Sequence, residues 1–180
     1  EGDFKQPRQD LFPDGFESMC KEIEARGMQF GLWFPTSFAD WGIGSNSSLD
    51  DSRIPGPNGE WATPQYLENG LLQWDLTRRF SLASDYAEVL EEGILHHIRK
   101  NGLKLAKLDV GDFFSNGKTR EQLPGKYSTR AMHSRLLRMA RRFREEDPEF
   151  RLIWYWGARS PYFLVEGDLL FEPRLSMEGS

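Results

Sequence analysis

Residues 103–110 read LKLAKLDV, from Leu103 to Val110, directly after Asn101-Gly102. The run is short, mostly apolar, and opens after a glycine that ends the preceding helical pattern, so it reads as a strand. Side chains two apart along a strand share a side. Lys107 and Asp109 therefore face the same way, with Asp109 at the strand's C-terminal end. Residues 111–127, which follow, read as a polar loop.

The pattern repeats outward from this strand. Residues 28–34 (MQFGLWF) are nearly continuously apolar, as expected for a strand covered on both faces. Residues 151–156 (RLIWYW) and 168–172 (DLLFE) read as two more strands. Helical patterns lie between them. The turn Phe12-Pro13-Asp14-Gly15 starts a helix carrying Phe16, Met19, Cys20 and Ile23 at three-to-four spacing, with Gly27 as its left-handed stop. A long helix is expected over about 79–101, with Tyr86, Val89, Leu90, Ile94 and Ile98 as its apolar stripe. An arginine-rich helix runs from Ser128 to about Glu146, before Pro148, and residues 157–161 open a short helix to about Glu166. Strands alternating with helices predict an α/β fold with a parallel sheet. Residues 36–72 show no periodicity and read as a long loop after a strand's C-terminal end.

Composition narrows the class. Hydrophobic content of 38% is ordinary for a water-soluble domain. No run approaches the roughly 20 apolar residues of a membrane span. Glu1-Gly2-Asp3-Phe4 shows no signal-peptide pattern, and the compartment stays open. The net charge of −5 argues against a nucleic-acid partner, and Arg130, Arg135, Arg138, Arg141, Arg142 and Arg144 read as a solvated helix face. The single cysteine, Cys20, excludes an intrachain disulfide and reads as a buried thiol. Six Trp and thirteen Phe are many for this length, and Trp41, Trp61 and Trp74 stand in or beside loops, where indoles suit the C–H faces of sugars or anchor the loop.

Polar groups recur at predicted strand ends: Asp109 at the second, Glu172 at the fourth, Trp154, Trp156 and Arg159 about the third, and Trp33 near the end of the first. In a (β/α) barrel these ends converge on one mouth. Two carboxylates there are the minimum for glycoside cleavage. Lys107 beside Asp109 favours the ionised carboxylate that a nucleophile needs, and a structural ion pair is the alternative reading. His96 and His97 are adjacent on a helix and face different directions, so no metal is expected. No cofactor-binding motif occurs. Asp112 reads as a second carboxylate or a loop residue, and Asp168 starts its strand, toward the far end of the barrel.

The order Phe12-Pro13-x-Gly15, Gly27-Met28-x-Phe30-Gly31-Leu32-Trp33, Trp74-Asp75-Leu76-Thr77 and Lys107-Leu108-Asp109 resembles the α-galactosidases (melibiases) of glycoside hydrolase family 36 and their clan relatives in families 27 and 31. The resemblance is good over about residues 1–115. It implies a (β/α)8 TIM-type barrel, of which residues 1–180 supply about strands 3 to 6 as part of one catalytic domain. A complete barrel takes roughly 250 residues. It also implies a retaining mechanism with Asp109 as nucleophile and Lys107 as sugar-binding partner. The family's serine-aspartate motif at its sixth strand is absent, and Glu172 ends the strand in that place. Trp156-Gly157-Ala158-Arg159 stands where the family has a cysteine- and glycine-rich motif, with Arg159 matching its arginine.

The expectation is a retaining hydrolase of α-linked sugars, α-galactosides first, with Asp109 and Glu172 catalytic and Trp33, Lys107, Trp156 and Arg159 binding substrate. Its partners are a glycoside or oligosaccharide and the rest of the barrel. A transglycosidase of raffinose-synthase type and a non-catalytic carbohydrate-binding barrel stand as alternatives.

Overall fold

The computed structural model of the chain describes residues 4–36, 53–54, 79–80, 82, 86–109, 125–155, 158 and 160–171. In chain order the elements are α1 (Glu17–Ala25), β1 (Gly31–Pro35), β2 (Arg53–Ile54), β3 (Arg79–Phe80), α2 (Tyr86–Asn101), β4 (Leu105–Asp109), α3 (Gly125–Glu146), β5 (Arg151–Tyr155), α4 (Phe163–Glu166) and β6 (Leu169–Phe171). The main sheet has the order β1-β4-β5-β6 with every neighbouring pair parallel, so the expected strands pair in sequence order. The structure shows a parallel βα sheet.

The register is even across the sheet. Trp33 stands opposite Lys107, and Lys107 opposite Ile153. Two residues on, Pro35, Asp109, Tyr155 and Phe171 form a row of the same parity. Alternation then sorts the faces. Phe34, Ala106, Leu108, Leu152 and Trp154 are buried in the core with Leu90 and Ile94 of α2 and Leu136, Met139 and Phe143 of α3. Burying one such side chain contributes about 1.5–3 kcal/mol. The other face carries Trp33, Lys107, Asp109, Ile153, Tyr155, Leu169 and Phe171, all half-buried or exposed. The same parity puts the helices on one side of the sheet and the charged residues on the other.

The helix ends follow backbone chemistry. After α1, Gly27 at φ +70° takes the left-handed position, its N–H reaching Glu24 O at 2.8 Å while the Met28 N–H reaches Ile23 O at 3.1 Å. Those paired bonds satisfy two carbonyls that a helix end otherwise leaves open. Pro13 lies upstream of α1 rather than in its first turn, and the N-cap Phe16 makes no side-chain cap.

Two expectations are corrected. The helix predicted over about 79–101 starts at Tyr86, and Arg79–Phe80 instead pairs antiparallel with Arg53–Ile54, inside and just beyond the stretch read as loop. The apolar stripe of the helix begins at Tyr86, where the helix itself starts, and Leu82 upstream of it is buried without belonging to the helix. The arginines of α3 are also more than a solvated face. Arg135 pairs with Glu88 at 2.9 Å, Arg142 with Glu91 at 3.1 Å and Glu92 at 2.9 Å, and Arg141 with Glu166 at 2.6 Å. They tie α3 to α2 and α4, at about 0–1 kcal/mol for each exposed pair. Cys20 is half-buried rather than buried.

Candidate functional site

Asp109 ends β4, a central strand of the main sheet, on the face away from the helices. Its main chain is held firmly. The N–H and Oγ1 of Thr36, the residue after β1, both donate to the Asp109 carbonyl at 3.0 Å. Thr36 is fully buried, and the hydroxyl of buried Tyr86 donates to Pro35 O at 3.3 Å. The C-terminal ends of β1 and β4 are thus locked together from both sides.

Around the carboxyl, Trp33 donates a side-chain hydrogen bond from the neighbouring strand, and Lys107 adds its positive charge. Burial is the largest influence and pushes the Asp109 pKa up, while Lys107 and Trp33 pull it down without cancelling the rise. The spacing of Lys107 and Asp109 predicts an ammonium that favours the ionised carboxylate. Lys107 does favour the ionised form, but desolvation is the larger influence on the pKa, because a half-buried carboxylate loses water that one ammonium does not replace.

The Lys107 ammonium rests over the Tyr155 ring, 3.6 Å from its centroid. Tyr155 in turn stacks on Phe171, with ring centroids 4.8 Å apart and planes 3° from parallel. Trp33, Lys107, Asp109, Tyr155 and Phe171 therefore bring four strands to one face. Indole and phenyl faces with an ammonium and a carboxylate at one strand edge suit a polyol with C–H faces and hydroxyls.

Of the residues expected at the site, Trp33, Lys107 and Asp109 come together as the strand parity required. Glu172, Trp156 and Arg159 lie outside the described residues, as do Asp112, Trp41, Trp61 and Trp74. Trp154 does not join the site. It is fully buried on the helix side, edge-on to Phe163 at 4.9 Å. Its neighbour Tyr155 takes the site face instead, and counting by twos from Arg151 shows it. Asp168 lies at the other end of the sheet, accepting from the Leu152 N–H at 2.7 Å, Arg144 at 3.0 Å and Arg151 at 3.1 Å. His97 is buried, with Nε2 2.8 Å from Phe4 O and Nδ1 2.7 Å from the Asn101 amide, which pins the N-terminal segment to α2. No cluster of metal-ligating side chains occurs among the described residues. A groove of about 610 Å³ between α2 and α3 is lined by paired glutamates and arginines, away from Asp109.

The sheet and helices are similar in fold to known glycosidases. The α-galactosidase from Lactobacillus brevis superposes with a TM-score of 0.68 at 17% identity, over 93% of this chain and 22% of that one. The GH36 α-galactosidase AgaB from Geobacillus stearothermophilus gives 0.66 at 16% identity, over 91% and 22%. An α-amylase from Anoxybacillus gives 0.55 at 14% identity, over 88% and 33%. The chain thus spans about a fifth of the length of these α-galactosidases. Neither a family model nor a curated protein matches the sequence. The likeness establishes the fold, and because an amylase shares it, fold alone does not select the sugar.

Proposed function

We propose that this chain is the part of a (β/α)8 glycosidase barrel spanning about its third to sixth strands, and that the intact protein is a retaining hydrolase of α-linked sugars, α-galactosides first. The observation that carries the reading is Asp109 at the C-terminal end of a central parallel strand, on the helix-free face, with Trp33 and Lys107 beside it. Catalytic groups of such barrels sit at that end of the strands. The α-galactosidase fold likeness and the motif order that resembles family 36 support the same assignment.

In this mechanism the Asp109 carboxylate attacks the anomeric carbon and forms a glycosyl ester as the glycosidic C–O bond breaks. Glu172 protonates the departing oxygen, then takes a proton from the water that cleaves the ester. Retention needs the two carboxyls about 5–5.5 Å apart. The Trp33 N–H keeps one Asp109 oxygen oriented, Lys107 favours its ionised form, and Trp156 and Arg159 complete the sugar's walls and donors. The remaining strands would cover the open sheet face, where Leu169 and Phe171 are 54% and 45% exposed. The test is hydrolysis of aryl α-galactosides by the intact protein. Glu172→Ala is expected to keep substrates whose leaving group needs no proton and to lose those that need one. Equal loss of both overturns the role of Glu172.

A further inference from the structure

We propose that Tyr155 is a positioning residue that holds the Lys107 ammonium beside Asp109 at the mouth of the sheet, an inference that rests on the glycosidase reading only for its kinetic consequences. Lys107 and Tyr155 lie on adjacent strands, one diagonal step apart: the register partner of Lys107 is Ile153, and that of Tyr155 is Asp109 itself. The ring under the ammonium is thus attached directly across from the carboxyl. The 3.6 Å approach to the centroid is within the range in which a cation is drawn to an aromatic face. An ammonium seated there still has N–H donors that point off the ring. A lysine stem is otherwise flexible and its head strongly hydrated, so without a seat it moves into water.

The seat is itself braced. Phe171 stacks on Tyr155 at 4.8 Å with planes 3° apart, so β6 fixes the tilt of the ring on β5, and the ring fixes Lys107 on β4. Parallel offset rings are a favoured geometry for an aromatic pair. Three strands therefore fix one charge, while Asp109 is fixed separately through Thr36.

The experiment uses carbon-detected NMR titration of the Asp109 carboxyl in the intact protein, with Tyr155→Leu and Tyr155→Phe beside the parent, and kcat/KM against pH for an aryl α-galactoside. Tyr155→Leu frees the ammonium to hydrate, so the Asp109 pKa is expected to rise further and the acid limb of the profile to move up with it. Tyr155→Phe keeps the ring face and is expected to restore both close to the parent. An Asp109 titration unchanged or lowered in Tyr155→Leu overturns the proposal, and so does a Tyr155→Phe protein that behaves like Tyr155→Leu. Because the titration needs no turnover, a protein that cleaves no glycoside refutes the functional reading and leaves the positioning claim to the NMR result alone. If Tyr155→Leu does not fold, Phe171→Leu, which loosens the brace and keeps the ring, is expected to shift the titration in the same direction by less, and no shift there counts against the proposal.

Discussion

Thr36 donates twice to one acceptor, its N–H and its hydroxyl both reaching the Asp109 carbonyl at 3.0 Å. Thr36 is the first residue beyond β1, so the bond pair ties the end of that strand to the proposed nucleophile. Thr36→Val keeps the shape and the N–H bond but removes the hydroxyl. The expected cost is about 1 kcal/mol in a denaturant titration. A loss of kcat with little change in KM is expected alongside it, since the side chains proposed to bind substrate stay in place. Unchanged stability and turnover would show that the N–H bond alone suffices.

The Asp109 pKa is raised by burial, so its ionised form is a strain on the fold. For a carboxyl whose native pKa lies above its unfolded one, near 3.9, the native state binds more protons between the two values. Stability therefore falls as pH rises through that window, and the cost is fully present above it. Asp109→Asn is expected to be more stable than the parent at neutral pH and to lose that advantage near pH 3. Comparing melting temperatures at both pH values checks the sign.

Trp33 donates to the same carboxyl and lowers its pKa. Trp33→Phe keeps an aromatic ring and removes the donor. The Asp109 pKa is then expected to rise, which moves the acid limb of kcat/KM to higher pH, because the nucleophile must be ionised. The loss of activity should be larger at low pH than on the plateau. A loss that is uniform with pH would assign Trp33 to sugar contact alone.

At the opposite end of the sheet, burial pushes the Asp168 pKa up, but the Leu152 N–H, Arg144 and Arg151 outweigh it and hold it below the usual value. A depressed carboxyl contributes stability above its unfolded pKa, and that stability disappears as pH falls through the folded value. Asp168→Asn is expected to be less stable at pH 7 and to show a shallower loss toward acid. Acid denaturation curves of the two proteins decide it. Asp168, just before β6, is held by these three contacts at the end of the sheet away from Asp109.

Gly167 lies flat against the Trp154 indole, and a Cβ there would collide with the ring. Gly167→Ala is expected to cost about 1–3 kcal/mol, as overpacking does, with a change in the fluorescence of the buried indole. A neutral substitution would mean that the α4–β6 turn moves freely, contrary to its packing on Trp154.

The strands were legible because their parity and their bounding glycines are local properties. Lys107 and Asp109 share a face by spacing alone, and Trp33 joins them once its strand is placed next to theirs. The antiparallel pair at 53–54 and 79–80 was not legible, since a two-residue ladder has no period to detect. The helix was expected from about residue 79, although its apolar stripe, like the helix itself, starts at Tyr86. Tyr155 was passed over when Trp154, Trp156 and Arg159 were grouped at the end of that strand, although alternation puts Trp154 with the helices and Tyr155 on the other face. For Asp109 the direction of the pKa shift was not legible for a different reason. A sequence displays the neighbouring charge of Lys107 but not the water that folding removes.

The most direct test of Asp109 as the nucleophile is chemical rescue in the intact protein. Asp109→Ala is expected to lose nearly all turnover of an aryl α-galactoside. Added azide, small enough to enter the space the carboxylate leaves, should then restore release of the aryl group and give the β-galactosyl azide, the anomer inverted from the substrate. Asp109→Ala retaining parental turnover without azide, or a rescued product of α configuration, would contradict the assignment.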